Sequence, residues 1–217
     1  MSTASDEELT PAVVRLVATL VAAKRRLARH YLEWCVRGPV LEASTAVSAM
    51  AQEEYGQARV LAGLLDEEGL QTGLSLPAPV LQPAPCWISL ICLAALFDTA
   101  VTEALAAAAR YSPSLARRVA KILQEESFHQ LFAQQWLQLL GQEAALRPRL
   151  LQQVEQLRTP LLSWLEQLDQ LLSKAVPARA NCSRAAAAWQ QGVTDWLRQL
   201  APGDAAPGSH ILPEGGS

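Results

Sequence analysis

The 217-residue sequence predicts an all-α fold: a four-helix bundle followed by two additional C-terminal helices. Three observations lead to this prediction. Half of the residues are apolar, chiefly Ala and Leu, and this composition favours helices. Within long segments the apolar residues recur at steps of three or four, which is the period of one helix face. Glycine is sparse inside those segments, and a chain of this length can bury one full core.

Cap and stop signals give the limits of six helices. Thr10 before Pro11 is a good N-cap with proline in the first turn, and Gly38-Pro39 ends the first helix. Gly69 is expected to end the second helix. A kink is expected in the fifth helix at Thr159-Pro160. The predicted helices span approximately residues 11–36, 41–68, 86–110, 113–140, 144–174 and 183–200.

A long connection separates the first pair of helices from the second pair. Residues 71–85 contain four prolines, which is typical of an extended crossover. The second pair turns tightly at Tyr111-Ser112-Pro113, where Ser112 can cap the fourth helix. Two hairpins joined by one long crossover are the ferritin-like topology. Residues 1–200 are therefore expected to form a single ferritin-like domain, and residues 201–217, rich in Gly and Pro, a flexible tail.

Composition and charge favour a cytoplasmic protein. The acidic start cannot act as a secretory signal, and the four cysteines form no C-x-x-C pair, so they are interpreted as buried thiols. The net charge of −3 gives no reason to expect nucleic acid. The most apolar run, residues 87–109, contains Asp98 and Glu103, and is interpreted as a buried central helix and not as a membrane span.

Each of the first four helices carries polar residues in the middle of its apolar stripe. Charges on a core face are costly unless they are paired or bound to metal, so four such helices in succession indicate a site. Four of these residues lie 14 or 15 positions from the hairpin turns, which places them at one level about 21 Å from the turns. Two further residues follow one turn later. The predicted buried cluster consists of Lys24, Glu54, Gln57, Asp98, Glu126 and His129.

The pattern is that of di-iron four-helix bundles, in which two helices give Glu or Asp and two give Glu-x-x-His. It departs at Lys24, where a carboxylate is needed, and at Gln57, where histidine is needed. A protonated ammonium has no lone pair to donate, but it can neutralise carboxylates in a salt-bridge cluster. The expectation is no cofactor, with iron as the alternative. The remaining candidate ligands for a vestigial site or a single metal are Glu54, Asp98, Glu126 and His129.

Residues beside these stripes receive simpler interpretations. Glu53, Glu103 and Glu125 step off the stripes and are expected to be solvated or paired locally. Apolar residues on the fifth helix are interpreted as core and not as an interface; they are Leu161, Leu162, Trp164 and Leu165.

At these residues the sequence resembles the ferritin-like subunits of the bacterial phenylacetyl-CoA epoxidase, a ring-1,2-monooxygenase of phenylacetate catabolism. Glu125-Glu126-Ser127-Phe128-His129 is similar to the Glu-x-x-His helix of the catalytic subunit. Other stretches are similar to the non-catalytic companion subunit: Glu33-Trp34-Cys35, Gly38-Pro39-Val40-Leu41-Glu42, Gly56-Gln57-Ala58-Arg59 and Leu96-Phe97-Asp98 followed by Glu103.

The resemblance implies a component of an oxygenase that acts near an aryl-CoA thioester with electrons from a reductase. Carried over by position, Lys24 falls where the catalytic subunit has an iron-binding glutamate. Asp98, Glu126 and His129 fall on its ligand positions. The implied partner is a larger ferritin-like catalytic subunit or a second copy, with acyl-CoA nearby and neither nucleic acid nor membrane.

Three functions are therefore open. The first is a non-catalytic, partner-binding subunit of a phenylacetyl-CoA-type oxygenase with a degenerate di-iron site. The second is a metal-dependent oxidase or oxygenase with an altered site. The third is a ferritin-like binding protein outside the phenylacetate pathway. Iron content separates the first from the second, and association with a larger ferritin-like chain separates the first from the third.

Overall fold

The structure is a computed structural model that describes residues 9–110, 113–175 and 184–200. These residues form helices and no β-strand, which confirms the predicted all-α class. The elements are α1 (Pro11–Trp34), α2 (Leu41–Ala62), α3 (Glu67–Leu70), α4 (Ala78–Leu81), α5 (Trp87–Leu93), a π-helical turn (Ala94–Asp98), α6 (Thr99–Ala109), α7 (Pro113–Gln142), α8 (Arg147–Ala175) and α9 (Ala185–Leu200).

The first hairpin follows from its cap and its turn. The Thr10 hydroxyl accepts the Val13 N–H at 3.4 Å at the start of α1, and Pro11 is the first helical residue. In the turn the Gly38 N–H donates to Ser44 Oγ at 3.1 Å. A Cβ at Gly38 would lie 2.6 Å from that oxygen, so only glycine fits this turn. Helices α1 and α2 then pack against each other along their lengths.

The second helix is shorter than predicted. It was expected to reach Glu68, but α2 ends at Ala62 with Gly63 as its C-cap. The Asp66 carboxylate then accepts the Gly69 N–H at 2.7 Å and caps the separate short helix α3. The prediction was wrong because the apolar period continues past Gly63, although the helix does not. The Asp66 cap starts a separate helix inside that periodic stretch. Helix α4 is likewise one helical turn inside the crossover that was expected to be extended.

The crossover runs along α1 from its first turn to its last. The Arg15 Nε–H donates to the Thr72 carbonyl at 3.1 Å, and the Trp34 indole N–H donates to the Ala84 carbonyl at 3.3 Å. Between them His30 Nε2 lies 2.8 Å from the Val80 carbonyl oxygen. These contacts bring the start of α5 to the end of the bundle where α1 finishes, so α5 and α6 run antiparallel to α1.

The helix formed by α5, the π turn and α6 is the centre of the core. The segment Trp87–Ala109 is long and apolar enough to cross a membrane, but 83% of its most apolar window is buried inside the protein. Helix α8 packs on α1 and α5, and α9 packs on α6 and α8. In α8 the side chains of Leu161, Trp164 and Leu165 are buried and that of Leu162 is half-buried against the core, in agreement with the core interpretation. The helix continues through Pro160.

Some predictions fall outside the described residues. These are the flexible tail at 201–217, the Ser112 cap and the thiol of Cys182. The other three cysteines are free thiols; Cys92 is buried, whereas Cys35 and Cys86 are half-buried. Buried apolar residues from α1 to α9 form one continuous cluster, while the assignment of residues 1–200 to a single domain stays a prediction.

Candidate functional site

All six polar residues of the predicted cluster are buried, each with at most 2% of its surface exposed. They come from four different segments around the central core. Lys24 lies on α1, Glu54 and Gln57 on α2, Asp98 at the end of the π turn, and Glu126 and His129 on α7.

Lys24 lies at the centre of the cluster. Its Nζ is 3.0 Å from Glu54 Oε1, 2.9 Å from Glu126 Oε1 and 3.4 Å from Asp98 Oδ1. Burial alone would lower the pKa of Lys24, but attraction to these three carboxyl groups outweighs burial and raises it. The ammonium is therefore a permanent cation at neutral pH, surrounded by oxygen atoms from three helical segments.

His129 supplies a second positive charge. Its Nδ1 lies 3.1 Å from Asp98 Oδ2 and 3.3 Å from Glu54 Oε1, while Nε2 lies 2.8 Å from Glu53 Oε2. Burial opposes the charge, but the hydrogen bonds to Asp98 and Glu54 raise the pKa of His129 to about 11. Both ring nitrogens face carboxylates, so the ring is an imidazolium that donates on both sides.

Glu53 was expected to be solvated or paired locally, and this was wrong. Its side chain is 39% exposed, yet it crosses from α2 to α7 to reach His129. The position one residue before Glu54 points away from the core stripe, but a glutamate is long enough to reach back beside the helix. The helical period reports the direction of the Cβ and not the reach of the side chain.

The three buried acids differ in the direction in which the protein shifts their pKa values. Burial alone would raise the pKa of Asp98, but Lys24 and then His129 lower it below its usual range. Burial, with the nearby Asp98 charge, raises the pKa of Glu126 to about 8, and burial also raises the pKa of Glu54. Two cations thus face three carboxyl groups. The raised pKa of Glu126 means that this residue can bind a proton and so remove the excess negative charge.

Two further side chains complete the cluster and were missed in the sequence. The Tyr31 hydroxyl donates to Asp98 Oδ2 at 2.9 Å. The Thr102 hydroxyl lies 3.0 Å from both the Asp98 carbonyl oxygen and Glu126 Oε2. Tyr31 follows Lys24 by two helical turns, and Thr102 follows Asp98 by one, so their place on the same faces was the available signal.

Gln57 does not join Lys24 and its carboxylates directly. Its Nε2 donates to Glu125 Oε2 at 3.3 Å, so the two residues link α2 to α7. Glu125 also pairs with Lys121 on its own helix, with Nζ 3.3 Å from Oε1. The side-chain amide oxygen of Gln57, Oε1, is buried and has no hydrogen-bond partner among the residues that the structure describes.

The residues present depart from the ligand set of a di-iron centre at two positions. One ligand atom from each of Glu54, Asp98, Glu126 and His129 lies within 4.8 Å of the others, which is compact enough to hold one metal ion. However, the Lys24 ammonium lies 2.9–3.4 Å from all three of these carboxyl groups and already supplies positive charge there. The ammonium stands in place of one carboxylate of the six-ligand set, and Gln57 stands in place of one histidine.

Replacing Tyr31 with phenylalanine is expected to lower the free energy of unfolding by about 1.5–3 kcal/mol, because the hydrogen bond is made to an ionised, buried carboxylate. Urea denaturation at pH 7 measures this change. Tyr55→Phe is the matched control, since Tyr55 is 37% exposed and its loss should stay within about 0.5 kcal/mol. Equal losses in both variants would contradict a specific bond to Asp98.

Stability is expected to fall as the pH rises above neutrality. The pKa of His129 is about 11 in the folded chain against an ordinary value of 6.5, so its contribution is complete below pH 6.5 and is lost as pH rises through 11. Thermal melts between pH 7 and pH 10 measure the decline. His129→Asn should melt lower at pH 7 but change less over this interval; an unchanged slope would contradict the assignment.

Comparison with known protein families gives a match, which covers most of the chain. The family model of the phenylacetic acid catabolic protein matches residues 1–202. A search of curated proteins found no match. The matched region includes every residue of the cluster, and the chain belongs to the phenylacetic acid catabolic protein family.

Proposed function

We propose that this member of the phenylacetic acid catabolic protein family is a non-catalytic, structural subunit of a cytoplasmic, multicomponent monooxygenase that epoxidises the ring of phenylacetyl-CoA. The observation that carries the proposal is the position of Lys24. Its Nζ lies 2.9–3.4 Å from carboxyl oxygens of Glu54, Asp98 and Glu126. A cation that belongs to the chain itself thus occupies the region where a catalytic relative would need metal ligands.

The consequence is a degenerate di-iron site that serves stability. Buried carboxylates strongly destabilise a fold unless a positive charge compensates them. In this chain Lys24 and His129 provide that charge from two helices, so no bound metal is needed to assemble the bundle. The cluster then connects α1, α2, the π turn and α7 by charged hydrogen bonds, which are stronger than neutral ones.

A partner role is supported by the surface between α2 and α7. A cavity of about 290 Å³ opens there, with an apolar lining from both helices. Phe128 and Leu131 at its edge are 51% and 52% exposed. Contiguous exposed apolar side chains are typical of protein interfaces, and the proposed occupant is a helix of the larger, catalytic ferritin-like subunit.

Iron content and complex formation test the proposal together. The chain is purified from iron-rich medium beside a catalytic ferritin-like subunit of the same enzyme class, which serves as the positive control for iron. We expect far less than one iron per chain, no ring oxidation of phenylacetyl-CoA by this chain with reductase, and a stable complex with the catalytic subunit on size exclusion. Two irons per chain with an oxo-bridge absorption band would overturn the proposal.

A second candidate function is that of a metal-dependent oxidase or oxygenase with an altered site. The observation that favours it is the compact ligand set of Glu54, Asp98, Glu126 and His129, with atoms within 4.8 Å of one another. It predicts a tightly bound metal in the purified chain that is lost in Glu126→Gln. A chain that neither holds metal nor associates with the catalytic subunit would instead support a binding protein outside the pathway.

A further inference from the structure

The π turn that carries Asp98 is contacted by two tryptophans, one from α8 and one from α9. Trp189 on α9 donates its indole N–H to the Leu96 carbonyl at 2.9 Å. Trp164 on α8 packs edge-to-face on Phe97, with ring centroids 5.9 Å apart. Both tryptophans are almost fully buried. The two C-terminal helices therefore meet the core helix at the segment that bends away from α-helical geometry.

A π turn departs from regular α-helical geometry, so contacts with neighbouring segments are needed to stabilise it. It adds one residue to a helical turn, and such turns are rare and occur mostly as single insertions near functional sites. Removing the insertion would rotate the residues on one side by about 100° relative to the other, since an α-helix has 3.6 residues per turn. Asp98 is the last residue of this turn, so its direction depends on the turn being kept.

The Leu96 carbonyl is the atom through which α9 acts on this turn. Leu96 lies inside the π turn, and its carbonyl accepts the N–H of Thr99, the residue that follows the turn. A carbonyl oxygen has two lone pairs, and the second one receives the Trp189 indole N–H. This buried side-chain hydrogen bond therefore ties α9 to a carbonyl inside the π turn, and its loss would leave the indole N–H or the carbonyl less well satisfied.

We infer that Trp189 is a positioning residue for the buried cluster. By holding the Leu96 carbonyl it fixes the π turn, and the turn directs the Asp98 carboxylate to its partners. Those partners are the Tyr31 hydroxyl at 2.9 Å, His129 Nδ1 at 3.1 Å and Lys24 Nζ at 3.4 Å. Helix α9 thus serves the cluster from a distance, and this inference does not depend on whether the chain is catalytic.

The chain offers a matched control for the indole N–H. Trp164 also packs on the π turn, but its Nε1 is buried without a hydrogen-bond partner among the described residues. Trp189→Phe and Trp164→Phe therefore remove the same atoms from similarly buried positions. Only the first variant removes a hydrogen bond to the turn, so any difference between them reports that bond and not the lost ring area.

The test follows the Asp98 carboxylate by ¹³C NMR on protein labelled at aspartate, with Asp98→Asn to assign the signal. Trp189→Phe is expected to shift the Asp98 resonance and to speed amide exchange at residues 94–99 by about tenfold, as loss of one buried hydrogen bond predicts. Trp164→Phe is expected to leave both readouts close to those of the parent, although it lowers the melting temperature.

An unchanged Asp98 signal in folded Trp189→Phe, or equal shifts in both variants, would overturn the inference. If Trp189→Phe does not fold, 3-benzothienylalanine at position 189 keeps the shape of the indole and lacks only the N–H. The same shift and the same faster exchange are expected from that protein. A benzothienyl protein indistinguishable from the parent would show that packing alone keeps the turn.

Discussion

Replacing Lys24 with methionine is expected to lower the free energy of unfolding by about 3–5 kcal/mol at pH 7, the usual cost of removing one partner from a buried ion pair. The variant keeps most of the side-chain volume, so the loss reports the charge. Glu54, Asp98 and Glu126 each lose an ammonium that lies 2.9–3.4 Å away. Denaturation by urea or heat, measured at several pH values, gives the size of the effect.

The pH dependence of this loss has a definite sign. Without Lys24 the pKa values of all three carboxyl groups rise in the folded chain, including that of Asp98, which Lys24 lowers, while in the unfolded chain they stay near 4. Acids whose pKa is raised by folding destabilise the fold above the unfolded pKa, so the deficit of the variant should shrink as pH falls from 7 towards 4. A deficit that does not change with pH would contradict the electrostatic explanation.

Lys121→Met is the matched control for Lys24→Met. Lys121 carries the same charge and pairs with Glu125 at 3.3 Å, but its side chain is 84% exposed. Exposed pairs are worth about 0–1 kcal/mol, so this variant should melt close to the parent. If Lys24→Met also melts like the parent at pH 7, then Lys24 is not the counter-ion of the cluster, and a bound metal becomes the better candidate.

The double change Lys24→Glu with Gln57→His is expected to convert the chain into an iron-binding protein. It removes the ammonium and restores the full ligand set of two carboxylates and two Glu-x-x-His pairs, which is the set that holds a di-iron centre. Gln57 lies one turn after Glu54 on α2, just as His129 lies one turn after Glu126 on α7. Elemental analysis of protein from iron-rich medium measures the gain.

A second measurement on the double variant separates specific binding from adsorbed iron. Ligands that bind only the folded state raise its stability, by about 4 kcal/mol at a thousandfold excess over Kd, so the melting temperature should rise with added ferrous iron. Lys121→Glu with Gln57→His is the control, because it makes the same change of net charge and the same change at position 57 but leaves Lys24 in place. Iron uptake equal to that control would contradict the restoration of a site.

Much of the fold could be predicted because its signals are local in the chain. The cap at Thr10, the Gly38 turn and the proline-rich crossover fix where helices start and stop, and the apolar period fixes which face is buried. The break of α2 at Gly63 was missed, because the apolar period continues past it. The short helix that follows depends on Asp66 finding the Gly69 N–H, a contact that competes with helix continuation.

The sequence alone determined the level of the polar cluster and six of its residues, because a polar residue on an apolar stripe is visible wherever it occurs. Lys24, Glu54, Asp98 and Glu126 stand at nearly equal distances from their turns, and helical rise is constant, so their meeting follows from counting. Only the tertiary structure decided which side chains in and around the cluster pair with each other. Glu53 reaches His129, and Gln57 turns to Glu125, because side-chain reach across helices is not encoded in the helical period. The π turn that ends at Asp98 is likewise contacted by Trp164 of α8 and Trp189 of α9, segments distant in the chain whose meeting no local pattern reports.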